Sequence, residues 1–115
     1  MMSPATIDVR PATALLKALA DDNRLRIVAL LAQGELCVCH IAATLELTQP
    51  NVSQHLTVLK NAGVVEGQRR GSWIHYRLAD EADPVRDRIV GAVLATVGEL
   101  DQARLAAAKA TVSCE

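Results

Sequence analysis

Residues 47–63 read Leu47-Thr48-Gln49-Pro50-Asn51-Val52-Ser53-Gln54-His55-Leu56-Thr57-Val58-Leu59-Lys60-Asn61-Ala62-Gly63. Thr48 is an N-cap residue, Pro50 suits the first turn of a helix, and Gly63 stops one. Val52, Leu56 and Leu59 fall at i, i+4 and i+7, so they share one face and predict a core stripe. Gln49, Asn51, Ser53, Gln54 and His55 are left for the exposed faces and the N-terminal turn. A helix front made of amides, hydroxyls and an imidazole, with few charges, suits the edges of DNA bases.

Working outward, residues 38–45 predict a short helix that buries Ile41 and Leu45, and the tight polar break 46–48 joins it to the helix above. The pair is a helix-turn-helix. Upstream, residues 11–20 predict a helix with Pro11 near its start. Asp21 or Asp22 caps a second one carrying Leu25, Ile27, Val28, Leu30 and Leu31, which Gly34 ends. Downstream, Val64 and Val65 begin a strand, Arg69-Arg70-Gly71-Ser72 reads as a turn, and Ile74, Tyr76 and Leu78 alternate with Trp73, His75 and Arg77 on a return strand. A hairpin with a basic tip after a helix-turn-helix makes a winged helix, so the expected class is mainly α with a β-hairpin wing (α+β).

From about Pro84 the sequence predicts one long helix with the stripe Ile89, Val93, Val97 and Leu100, widened by Val90 and Leu94. The winged helix is nearly complete without it. The stripe therefore points to a homodimer through the first and last helices, with Leu15, Leu19, Ile89, Val93, Val97 and Leu100 at the interface. Two reading heads are what a symmetric, inverted-repeat operator in double-stranded DNA requires. The expected layout is a flexible 1–10, a DNA-binding and dimerisation domain over 11–112, and a tail 113–115 holding Cys114.

At 115 residues this is one domain, half of it hydrophobic, with an aliphatic core because Phe is absent and aromatics make up 2%. Net charge is −1, yet between Thr48 and Leu78 Lys60, Arg69, Arg70 and Arg77 face Glu66 alone. A locally basic segment is the footprint of a DNA-contacting surface. Thr48, Lys60, Arg69, Arg70 and Ser72 join the candidate DNA contacts, the two arginines as phosphate or minor-groove contacts. No apolar run approaches the ~20 residues of a membrane span, and no signal peptide is visible, so a cytoplasmic chain with reduced thiols and no membrane partner is expected. No nucleophile–base–acid set, phosphate loop or paired carboxylates suggests an enzyme or an organic cofactor.

Glu35-Leu36-Cys37-Val38-Cys39-His40 stands at the foot of the helix-turn-helix. Soft thiolates select soft metals and metalloids, and here they sit where a bound ligand would bear on the DNA reader. Residues two apart on a regular helix point about 200° away from each other. Clasping one ion therefore requires a non-helical segment, or binding that unwinds it. A Cys-x-Cys disulfide is a strained ring, so a direct redox couple between Cys37 and Cys39 is not expected, whereas a Cys39–Cys114 bridge stays open. His40 is expected to be a supporting residue, or a ligand if the ion is zinc or cadmium.

Three stretches, Ala18 to Ile27, Glu35 to Cys39, and Leu47 to Leu59 with Gly71 to Leu78, together resemble the ArsR/SmtB family of metal-responsive bacterial repressors over about residues 12–100. The Glu-Leu-Cys-Val-Cys piece resembles the arsenite- and antimonite-responsive branch. The resemblance implies a repressor released from its operator by As(III) or Sb(III) bound to Cys37 and Cys39. A third cysteine in that branch usually follows three residues after the second, where this chain has Ala42, which leaves the third thiolate unassigned; Cys114 is the candidate, with a solvent oxygen or a small cellular thiol as the alternatives. The zinc and nickel branches use a carboxylate and histidine pattern on the last helix, and 84–112 contain no His. A thiol-redox or persulfide sensor, or a Zn/Cd/Pb-responsive repressor on the same scaffold, is the alternative.

Overall fold

The structure, a computed structural model, describes residues 7–79 and 83–97. Its elements are α1 (Arg10–Leu19), α2 (Asp22–Leu31), β1 (Leu36–Cys37), α3 (Val38–Leu45), α4 (Gln49–Asn61), β2 (Val65–Arg70), β3 (Trp73–Leu78) and α5 (Pro84–Leu94). The three strands form one antiparallel sheet in the order β1-β3-β2.

Local chemistry sets the helix boundaries. The Asp21 carboxylate accepts from the Arg24 amide at 3.0 Å and starts α2. The Thr48 hydroxyl accepts from the Asn51 amide at 3.3 Å and starts α4, with Pro50 in its first turn. Each satisfies an N–H that the helix cannot pair internally. Ile27, Val28, Leu30, Ile41, Val52, Leu56 and Leu59 are wholly buried, and α1, α2, α3 and α4 close around them. Val52, Leu56 and Leu59 therefore do what their spacing predicts. Leu45 is only half-buried at the edge of this core rather than inside it.

The wing differs from its sequence expectation in length. Arg69 and Arg70 belong to β2, where they pair with Ile74 and Trp73, and the turn is only Gly71-Ser72. A two-residue hairpin loop needs a positive φ at its first central position, and Gly71 supplies it with φ 63°. Gly67 lies opposite Tyr76, whose ring would be 2.9 Å from any Cβ placed there. β1 was not foreseen: two residues, too short for a periodicity signal, pair Leu36 with Tyr76 and Cys37 with His75.

The last helix departs from its expectation. The last helix is not continuous through Val97: α5 ends at Leu94. Beyond it the amides of Thr96 and Val97 bond to the carbonyls of Val93 and Leu94, and the Thr96 hydroxyl also bonds to Val93 O at 2.7 Å. A side chain taking up that carbonyl competes with the helical ladder. Leu100 lies outside the described residues. Leu15 and Leu19, expected at the dimer interface, are buried within their own protomer at 7% and 4% exposure, which leaves little of either to meet a partner. The exposed apolar residue of α1 is Leu16, at 54%, and Ile89 and Val93 are half-buried against the same core.

Candidate sensor site and nucleic-acid interface

Cys37 ends β1 in extended backbone and is the N-cap of α3, and Cys39 lies in the first turn of that helix. The helix boundary falls between them. Extended geometry on one side and helical geometry on the other turn both side chains the same way, and no unwinding is required to bring them together. Their Cα atoms are 5.4 Å apart, inside the ordinary range for a bridged pair, and the sulfurs are joined as a disulfide. Of the two alternatives left by the sequence, a non-helical segment and unwinding on binding, the first is the one seen, since Cys37 is extended; the expectation that this pair does not couple directly falls.

Both cysteines are buried, Cys37 fully and Cys39 at 4%. His40 completes a cluster in which the two sulfurs and an imidazole nitrogen all lie within 4.8 Å of one another. Two soft sulfurs and a nitrogen form a donor set for a thiophilic ion once the pair is reduced, since the thiolate is the ligand. Cys114 lies outside the described residues.

Cys37 shares a ladder rung with His75 of the wing strand, while Cys39 belongs to the helix that leads through the 46–48 turn into α4. One cluster thus joins the wing strand to the helix that precedes α4. Glu35, two residues before Cys37, adds a second link that sequence reasoning missed. Its carboxylate reaches across β3 to Arg70 at 2.7 Å and lies 4.0 Å from His75 Nδ1. Arg70 is therefore engaged with Glu35 in the DNA-free chain, whereas Arg69 is exposed beside the turn, next to exposed Ser72.

On α4, Gln49, Ser53, Gln54, Thr57, Val58 and Lys60 are exposed, opposite the buried stripe. Asn51 is half-buried, and Thr48 is exposed while its oxygen caps the helix. His55, expected as a base contact, is half-buried against the α1–α2 corner. Its side chain is 18% exposed, and Arg24 donates to its Nδ1 at 3.3 Å, with Asp21 at 3.8 Å. The same arginine donates from Nε to Ala18 O at 2.6 Å and from Nη2 to Lys17 O at 3.2 Å, covering the end of α1. This knot ties the reading helix to the α1–α2 corner.

The Asp21 carboxyl is held below its usual range, first by the Arg24 amide and then by the charges of Arg24 and His55. A group whose pKa falls on folding stabilises above its unfolded value and loses that contribution as pH drops through the folded value. Asp21→Ala is expected to cost about 1 kcal/mol at pH 7 through the lost cap. The gap to the unmodified protein narrows below pH 4, in thermal unfolding followed by circular dichroism. An equal gap at pH 3 and pH 7 would contradict this.

No helix among the described residues is long and apolar enough to cross a membrane. Residues 21–67 match the family described as "Bacterial regulatory protein, arsR family". The chain is 44% identical over 79 residues to the arsenic resistance transcriptional regulator ArsR1 of Pseudomonas putida, covering 68% of this chain and 62% of that protein. It is 47% identical over 66 residues to the arsenical resistance operon repressor of Escherichia coli, covering 56% of each. The chain thus spans a little over half the length of these relatives. Among solved structures, the homodimeric winged helix-turn-helix DNA-binding domain of a "possible ArsR-family transcriptional regulator" from Mycobacterium bovis superposes with a TM-score of 0.71 at 33% identity, over 83% of this chain and 85% of that one. The helix-turn-helix with its paired wing, the sequence match through its centre and a relative one third identical over most of its length give one answer: the chain belongs to the ArsR family of bacterial regulatory proteins.

Proposed function

We propose that the chain is a transcriptional repressor that binds an inverted-repeat operator as a homodimer and leaves it when As(III) or Sb(III) binds the Cys37 and Cys39 thiolates. The observation that carries this is the meeting of two buried sulfurs where the strand paired to the wing runs into the helix that leads to the reader. The names of the Pseudomonas and Escherichia relatives support arsenic as the inducer, and the Mycobacterium domain supports the homodimer. A ligand releases DNA only through its different affinity for the free and bound forms. An ion that fixes the distance between Cys37 and Cys39 fixes the wing strand against α3, and with it the relation of wing to reading helix.

The test is an arsenite titration of the protein on its operator, followed by fluorescence anisotropy with a thiol reductant present. Release with reductant, and none while the pair stays oxidised, is the expected result. Retention of DNA at saturating arsenite in reducing buffer sinks the proposal. The nearness of His40 to both sulfurs favours a second reading, in which zinc or cadmium is taken by two sulfurs and a nitrogen. Release by cadmium but not by arsenite would select it.

Glu35 gives a further expectation. Glu35→Gln removes the charge that holds Arg70 and frees that guanidinium for a phosphate. Affinity for random-sequence duplex should rise, and the slope of log K against log salt should steepen by about 0.9 for each added phosphate contact. An unchanged slope would mean that Arg70 makes no contact in the complex.

A further inference from the structure

We propose that Thr57 determines operator specificity by packing its methyl group against the 5-methyl of a thymine in the major groove, an inference that rests on the repressor reading above. Thr57 was not among the contacts expected from sequence. The structure exposes it on the same side of α4 as Ser53 and Gln54, four and three residues before it, where helical neighbours meet. Its hydroxyl is already committed, donating to the Ser53 carbonyl at 3.0 Å. With its proton committed the hydroxyl can no longer donate, and beside an acceptor oxygen the side chain offers a groove its methyl. Val58, 40% exposed, sets two more methyls on the adjoining outward surface.

An apolar patch is otherwise out of place on a helix face made of amides and hydroxyls. In the major groove thymine alone among the four bases carries a methyl, whereas donors and acceptors occur on every base pair. Gln54, one turn earlier, has the paired donor and acceptor that fit an adenine edge. The amide and the methyls together therefore favour an A·T-rich step under the middle of α4.

The experiment begins with duplexes selected by the unmodified protein from a randomised pool. Each thymidine of the winning duplex is then replaced in turn by 2′-deoxyuridine, which pairs identically and lacks only the methyl. The unmodified protein is expected to lose about fourfold in affinity for each methyl withdrawn from contact, at one thymidine in each half-site. Thr57→Val keeps the methyl, binds the parent duplex as well as the unmodified protein does, and remains sensitive to uracil there. Thr57→Ser keeps the hydroxyl, binds the parent duplex about fourfold more weakly for each half-site, and is indifferent to uracil at that position. Thr57 is exposed, so neither change disturbs the core. The inference is overturned if Thr57→Ser stays as sensitive to uracil as the unmodified protein, or if Thr57→Val binds as poorly as Thr57→Ser. A pool from which no duplex is selected would overturn the repressor reading itself, and is recognised before any thymidine is replaced.

Discussion

Replacing Leu16 with glutamate is expected to turn the protein into a folded monomer with little grip on its operator. Leu16 is the exposed leucine of α1, and Ile7 and Val9, exposed at 74% and 57%, are further exposed apolar residues just before the helix. Glutamate has nearly the same helix propensity as leucine, so α1 should survive the change. Two reading heads on one dimer make the second contact with DNA intramolecular, which raises overall affinity by about 10² to 10⁴ over a single head. Loss of the dimer should forfeit a factor of that size. Sedimentation gives the mass, and anisotropy on a two-half-site duplex gives the affinity. A variant that stays dimeric and binds normally would remove α1 from the interface. Val93 is a poorer site for this test, because its side chain packs on the protomer's own core and a charge there would damage the fold as well.

The second large effect is loss of induction. Cys37→Ser and Cys39→Ser should each keep DNA binding and fail to release it with arsenite. With one thiolate gone, the remaining one must hold the ion without its chelating partner, and about 10² or more in apparent affinity is lost on the same intramolecular reasoning. The two variants should differ in stability. Cys37 is the N-cap of α3 and makes no side-chain cap bond, so a serine there can provide one. Cys39 is buried in the first turn, where a serine brings a hydroxyl into apolar surroundings. Cys114→Ser and His40→Ala, titrated in parallel under reducing conditions, identify the third donor by which of them weakens arsenite release. If the Cys37 and Cys39 variants release DNA like the unmodified protein, the cysteines serve packing alone.

The elements of this fold were legible where the signal is local. Thr48 and Pro50 mark the start of α4, Val52, Leu56 and Leu59 mark its inner face, and all act within a few residues of one another. Features that depend on distant partners were not legible. His55 belongs to α4 by periodicity, but its partners Asp21 and Arg24 come from another helix corner. Arg70 looks like any wing arginine until the strand β1 brings Glu35 beside it. On α1, Leu15 and Leu16 are adjacent in sequence, and periodicity does not say which faces the protomer's own core. For the sensor, the two cysteines were visible as a pair, but the position of the helix boundary between them decides their geometry, and boundaries are the least local part of a helix signal.

In the proposed sensor, the burial of Cys37 and Cys39 would also govern timing. Sulfurs in residues at 0% and 4% exposure meet a dissolved ion only when the fold around them opens locally. At low inducer the rate of response rises with concentration. At high inducer it levels off at the rate of that opening, however tightly the ion is finally held. On that reading, how fast a cell reacts to a sudden dose would be set by that opening, and how small a dose it notices by the sulfurs.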